Sequence, residues 1–309
     1  MKTLLFSVLN KTNIRAYIAW IAICIIWGTT YLAIRIGVTD LPPMLFAGLR
    51  WIAAGTILIV IQRALGNQFP AKNEIKHLAI VGIALLGIAN GLVVVAEQWL
   101  PSGLTALLIT TLPFWMVGFE SFLPKGPKFN AVIISGLIIG LSGVFLIFGK
   151  DFENWIRGDY LFGVLALMGA VISWSLGSIY SKYKKLNVHL MMGASVQMLI
   201  AGALQTSLGL ILGEYNNFHL TQNGFYAIAY LIIFGSIFGY VSYIYAIHHL
   251  PLSLVSTYAY INPVIALILG WYFLDENLST NILFAAGLIF IGVTLVKKGN
   301  MLALSKNKV

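Results

Sequence analysis

Charge is what this sequence has least of. Asp, Glu, Lys and Arg make up 9% of its 309 residues, against about a quarter in an ordinary soluble domain. A chain that poor in charge cannot cover a water-facing surface. With 59% hydrophobic residues and a mean hydropathy of +0.89, it reads as an integral membrane protein. Cysteine is almost missing as well: Cys24 stands alone, which excludes an intrachain disulfide framework and a cysteine-based metal centre. The five histidines form no His-x-x-x-His pair, and no G-x-x-x-x-G-K-[ST] phosphate loop occurs. No cofactor and no metal site is therefore expected. An intramembrane enzyme, which needs a nucleophile with a base or clustered ligands, is the less favoured class.

What is present is apolar length. A helix needs about 20 apolar residues to cross roughly 30 Å of hydrocarbon. Ten such stretches occur, near residues 16–36, 43–62, 77–97, 103–123, 131–149, 160–181, 190–212, 224–247, 252–273 and 281–297. The formal charge of +9 orients them, since basic residues mark the loops that stay in the cytoplasm, and no nucleic-acid partner is needed to explain it. Lys2, Lys11 and Arg15, then Arg63, Lys72 and Lys76, then Lys125 and Lys128, then Lys182, Lys184 and Lys185, then Lys297, Lys298, Lys306 and Lys308 fall on alternate connections. The opposite loops hold only Lys150 and Arg157 among acidic residues. The N-terminal segment 1–15 and the C-terminal tail 299–309 are thus expected in the cytoplasm. Trp27, Tyr31 and Arg35 stand where a signal-peptide cleavage site would be, so the first helix is expected to stay.

The halves repeat. Setting Trp27 on Trp174, an offset of 147, also aligns Arg35 with Lys182, Met44 with Met191 and Gly55 with Gly202. At an offset of 150, Leu100-Pro101 and Pro113 reappear as Leu250-Pro251 and Pro263. Five helices per half is an odd number, so the second half would be inverted, as in many secondary transporters. The expected fold is therefore all-α, ten transmembrane helices in two inverted five-helix repeats, residues 16–149 and 160–298. Pro113 and Pro263 remove a backbone donor in mid-span and release a carbonyl four residues earlier, near Ile109 and Ala259. In lipid such groups must face protein or a watery cavity.

Polar side chains at the same depth form the candidate binding set: Trp27, Thr29, Thr30 and Tyr31 in the first span, Asn90 in the third, Thr111 in the fourth, Trp174 and Ser175 in the sixth, Tyr240 in the eighth, Tyr258 and Asn262 in the ninth. For each hydroxyl the alternative is a bond back to its own helix, and for each tryptophan plain packing. Arg50 and Glu97 are the expensive residues, because an intramembrane charge costs about 2.5–3.5 kcal/mol at a helix centre. They could pair as an outer gate, with Glu97 alternatively solvated among headgroups. His248 takes the repeat position of Gln98, either as a proton relay or as a polar loop tip.

The blocks W-G-T-T-Y-L-A-I-R-I-G (27–37), P-P-M-L-F-A-G-L-R-W (42–51), A-N-G-L-V-V-V-A-E-Q-W-L-P-S-G (89–103) and S-T-Y-A-Y-I-N-P-V-I-A (256–266) resemble the EamA-type exporters of the drug/metabolite transporter superfamily. That resemblance implies a carrier of the bacterial inner membrane with a central cavity between repeats; the glycine-rich faces could pack helices within one chain or between two, so monomer and homodimer both stay open. Its implied substrates are amino acids, related metabolites or drug-like amphiphiles, exported by proton coupling or exchange. The family's Arg in the second helix falls on Arg50, its Glu before Pro-Ser-Gly on Glu97, and its Asn-Pro on Asn262-Pro263. The Gly-Glu that often closes the first repeat is replaced here by F-L-P-K-G-P (122–127). A channel-like facilitator is the alternative.

Overall fold

Proline and glycine set the ends of the rods. In the computed structural model, which describes residues 11–124, 130–148, 159–184, 186–275 and 280–306, the described residues are helical and contain no strand. Helix α1 spans Lys11–Asp40, and α2 runs Pro43–Ala64 with proline opening its first turn, where a missing N–H costs nothing. Helix α3 is Lys72–Ala96, α4 Ser102–Ser121 and α5 Ala131–Phe148. The second half repeats the order: α6 Asp159–Tyr183, α7 Leu190–Ile211, α8 Gln222–His249, α9 Leu252–Leu274 and α10 Thr280–Lys306. Both α2 and α7 end in Leu-Gly, with Gly66 at φ 84° and Gly213 at φ 74°. Only glycine adopts that left-handed turn without strain, and the two glycines are 147 positions apart, the offset that relates the tryptophans.

Helices α1 to α4 and α6 to α9 are each long and apolar enough to cross a membrane; α5 and α10 carry the shorter apolar stretches Ala131–Gly140 and Leu283–Val296. Ile14, Ile18, Ile21 and Ile25 form an exposed apolar stripe on α1, as a lipid-facing helix requires. The loops expected to hold Lys125 and Lys128, and Lys150 with Arg157, lie outside the described residues, as do Lys2, Lys185, Glu276 and Lys308.

Like elements pack on like. Helix α2 lies along α7, and α5 along α10, while α1 packs on α8 and α9 as α6 does on α3 and α4. Glycine permits the closest crossings. A Cβ on Gly202 would stand 2.7 Å from the amide nitrogen of Ile52, and one on Gly48 2.6 Å from that of Thr206. Such backbone approach is how helices associate where lipid removes the hydrophobic drive.

Two departures from regular α-helix recur in both halves. The middles of α3 and α8, Ile83–Asn90 and Leu231–Tyr240, widen into π-helix, a form that concentrates at functional sites. Helices α4 and α9 are interrupted, α4 between Ile109 and Leu112, α9 between Val255 and Tyr258. The first break directly precedes Pro113. The second is a correction: Pro263 sits inside the continuous segment Tyr258–Leu274, and the interruption falls at Ser256-Thr257. Hydroxyls satisfy the loosened carbonyls, Thr110 Oγ1 to Leu107 O at 2.6 Å and Thr257 Oγ1 to Leu254 O at 2.6 Å.

Candidate functional site

The wide turns and the breaks surround one cavity. Its volume is about 80 Å³, and it is lined by Trp27, Thr30, Tyr31 and Ile34 of α1, Arg50 and Trp51 of α2, Ala89, Asn90 and Val93 of α3, Ile109 and Leu112 at the α4 break, Ala170, Val171 and Trp174 of α6, Gly235 of α8 and Tyr258 at the α9 break. Both halves contribute. The repeat-related Trp27 and Trp174 meet edge to face, centroids 5.3 Å apart at 82°. Tyr243 and Tyr258 each stand 5.1 Å from the Trp27 ring. The indole donors are used within the wall: Trp27 Nε1 donates to Gly235 O at 3.1 Å, Trp174 Nε1 to Tyr243 Oη at 2.9 Å. Aromatic faces and edges, rather than N–H groups, are what these rings offer a ligand.

The polar side of the cavity belongs to the first half. Arg50 is 3% exposed. Its Nε donates to Ser236 Oγ at 2.9 Å, and its Cζ lies 4.2 Å from the centroid of the Trp51 ring. Asn90, which ends the α3 π segment, accepts from Trp51 Nε1 at 3.0 Å. At the repeat offsets, Arg50 corresponds to Gln197 and Asn90 to Tyr240. That second pair bonds to itself, Tyr240 Oη to Gln197 Oε1 at 2.7 Å, fully inside the protein. One half thus shows a cation and an amide to the cavity where the other closes on itself. Gln197 could have been found by carrying Arg50 across the offset of 147. Ser236 and Trp51 left no such signal.

Seven of the sequence-derived candidates therefore line the cavity: Trp27, Thr30, Tyr31, Arg50, Asn90, Trp174 and Tyr258. Others do not. Thr29 donates to Ile26 O at 2.6 Å and meets the Tyr230 hydroxyl. Thr111 and Ser175 are buried and bond back to Leu108 O and Val171 O, the behaviour open to any helical hydroxyl. Tyr240 stands behind Trp51, ring centroids 6.0 Å apart. Asn262, with its amide oriented by the carbonyls it faces, donates to Tyr258 O at 3.0 Å and Cys24 O at 2.9 Å, tying α9 to α1 across the halves. Pro113 and Pro263 are buried near the breaks rather than on the lining.

Arg50, expected to pair with Glu97, makes its contacts with Ser236 and Trp51 instead. Glu97 itself is 0% exposed, which overturns the solvated reading. It lies near enough to act electrostatically on the Tyr31 phenol. His248 is exposed and lines a second cavity of about 190 Å³ with Gln197, Ser181, His189, Gly193 and Ile244 among others.

Two further contacts obey the repeat. Arg35 Nη1 donates to the backbone oxygen of Glu97, where α3 ends. Its counterpart Lys182 donates through Nζ to Ile247 O at 2.8 Å and Leu250 O at 2.7 Å, where α8 ends. Ile247 is Glu97 carried by 150. Tyr183, beside Lys182, donates to Glu120 Oε1 at 2.7 Å. Glu97 precedes α4 and Glu120 nearly closes it, so the two cation contacts stand at opposite ends of the bundle, about 30 Å apart by the rise of α4.

Comparison with known proteins agrees with this architecture. The profile described as the EamA-like transporter family matches the chain twice, over residues 14–149 and 161–297. Among relatives, the "Uncharacterized inner membrane transporter YedA" of Escherichia coli K12 is 36% identical over 285 residues, 92% of this chain and 91% of that protein. The "Uncharacterized transporter YoaV" of Bacillus subtilis is 28% identical over 305 residues, 96% of this chain and all of that one. A crystal structure matches at a TM-score of 0.70 and 22% identity, covering 93% of this chain and 98% of the other, a likeness of fold.

Proposed function

Because the chain belongs to the EamA-like transporter family, a family of multi-pass membrane transporters, we propose that it is a secondary active transporter working by alternating access. It exports amino acids, related small metabolites or drug-like amphiphiles from the bacterial cytoplasm across the inner membrane, driven by protons or by exchange. In this reading α5 and α10 also cross the bilayer, the ten spans form two inverted repeats, and both termini are cytoplasmic. It is a carrier rather than an enzyme.

The observation that carries the reading is the pair of cation contacts at opposite ends, Arg35 on the end of α3 and Lys182 on the end of α8. A cation at a helix C-terminus is favoured by the helix dipole, and each contact joins the first helix of one half to the end of the third helix of that same half. Releasing one while keeping the other opens one end of the cavity alone. With the positive-inside orientation, Arg35 guards the periplasmic end and Lys182 the cytoplasmic end. The second cavity at His248 and Gln197 serves as the cytoplasmic vestibule, separated from the central cavity by the Gln197–Tyr240 bond.

The test uses Ala89→Cys and Ala170→Cys, placed one at a time on the lining in a Cys24→Ser background. Maleimide labelling is read from each side of the membrane while a transported compound is added. Alternating access predicts that labelling from one side falls as labelling from the other rises. Identical labelling from both sides under every condition would contradict it.

A further inference from the structure

Among the described residues the cavity lining holds one buried cation and no carboxylate, and that asymmetry narrows the ligand. The guanidinium of Arg50 is fixed on two sides, by Ser236 at Nε and by the Trp51 ring against its face. Its Nη1 is buried and has no hydrogen-bond partner among the described residues. A buried cation with an unused donor nitrogen is costly. It is retained where a ligand completes it, and the planar fork of arginine matches two carboxylate oxygens better than a single point charge does. Asn90 adds to the same polarity. Its Oδ1 is occupied by Trp51 Nε1, which leaves its amide hydrogens as the group available to a ligand.

We propose that the central cavity binds a small organic carboxylate with an aromatic or apolar body, its carboxylate oxygens held by the Nη edge of Arg50 and its body against Trp27, Trp174 and Tyr258. The proposal rests on the transport reading above and narrows the substrate class of that same site. Two rival ligand classes meet opposition from the cavity. A cation would suit aromatic faces, but here it would sit beside Arg50, and like charges in a low-dielectric site repel. A zwitterionic amino acid would satisfy Arg50 and leave its ammonium without a lining carboxylate, since Glu97 acts on Tyr31 from outside the lining. Burying an unpaired ammonium is strongly unfavourable. The cavity therefore ranks ammonium-free acids first, amino acids second and amines last.

The experiment is equilibrium binding to the purified full-length protein in lipid nanodiscs, with phenylacetate, phenylacetamide, phenylalanine and phenethylamine as probes of nearly one shape. Phenylacetate is expected to bind saturably and at least about tenfold more tightly than the amide or the amine, the range of a charge-assisted hydrogen bond to a buried group. Arg50→Gln is expected to abolish the preference of acid over amide, and Arg50→Lys to restore part of it. The probe series on the unaltered protein stands even if the Arg50→Gln protein is unstable. Equal binding of acid and amide, tighter binding of the amine or of phenylalanine, or no binding of phenylacetate by folded protein would each overturn the proposal. None of these outcomes touches alternating access, which the two-sided labelling decides separately: failure there with the acid preference intact would leave a carboxylate site in a protein that does not rock.

Discussion

Glu97 and Arg50 are both buried charges, but they stand in different surroundings. Arg50 faces the cavity, whereas Glu97 sits at the end of α3, where Arg35 holds its backbone oxygen and its side chain acts on Tyr31. A carboxylate at that junction joins the Arg35 contact to the cavity wall, a position from which protonation would loosen the Arg35 end. Glu97→Gln is therefore expected to weaken transport driven by a pH gradient more than exchange of substrate for substrate. Equal loss in both assays would assign Glu97 to structure instead. At this scale the sequence told unequal amounts. Trp27 and Trp174 were legible because bulky aromatics at a fixed offset are rare coincidences, and they do meet across the halves. Thr29, Thr111 and Ser175 were not distinguishable from Thr30, since a hydroxyl that bonds its own helix and one that borders a cavity have the same residue type.

Among the elements, the α2–α7 crossing is the most constrained. Gly48 and Gly202 bring the two backbones together at one place, so Gly202→Leu is expected to cost more than the about 1–3 kcal/mol of ordinary overpacking, because backbone, not a side chain, would have to yield. The protein should be recovered folded in lower yield and melt at lower temperature. Gly118 in α4 is the control: a Cβ there meets nothing within 4 Å, and Gly118→Ala should be neutral or stabilising by about 0.5–1 kcal/mol. A Gly202→Leu protein as stable as the parent would contradict the close packing. The apolar runs predicted these rods well, within a few residues at most ends. They could not predict the π segments, which use ordinary apolar residues and differ only in hydrogen-bond register. Nor could proline alone place the α9 break, since Ser256 and Thr257 carry it nearly two turns ahead of Pro263.

For the molecule as a whole, the two ends are held by equivalent but unlike contacts: Arg35 on one carbonyl, Lys182 on two, with Tyr183–Glu120 adding a tie beside Lys182. Hydrogen bonds to charged groups contribute about 1.5–3 kcal/mol each, enough to shift a balanced two-state equilibrium about tenfold or more. In the orientation proposed above, Arg35→Met should raise the periplasmic accessibility of Ala89→Cys, and Lys182→Met its cytoplasmic accessibility. Variants that change both sides alike would count against opposed gates. The offsets of 147 and 150 made the repeat legible in the sequence, because related residues kept their spacing. The contrast between Arg50–Asn90 and Gln197–Tyr240 was not readable, since it depends on which pair bonds to itself.

A saturable carrier is separated from a channel by efflux of labelled carboxylates, amino acids and small amphiphiles from proteoliposomes, with and without an imposed pH gradient and with unlabelled compound outside. Efflux is expected to saturate and to be accelerated by the gradient or the external compound. Flux that rises linearly with concentration and ignores compound on the far side would contradict a carrier and indicate a channel.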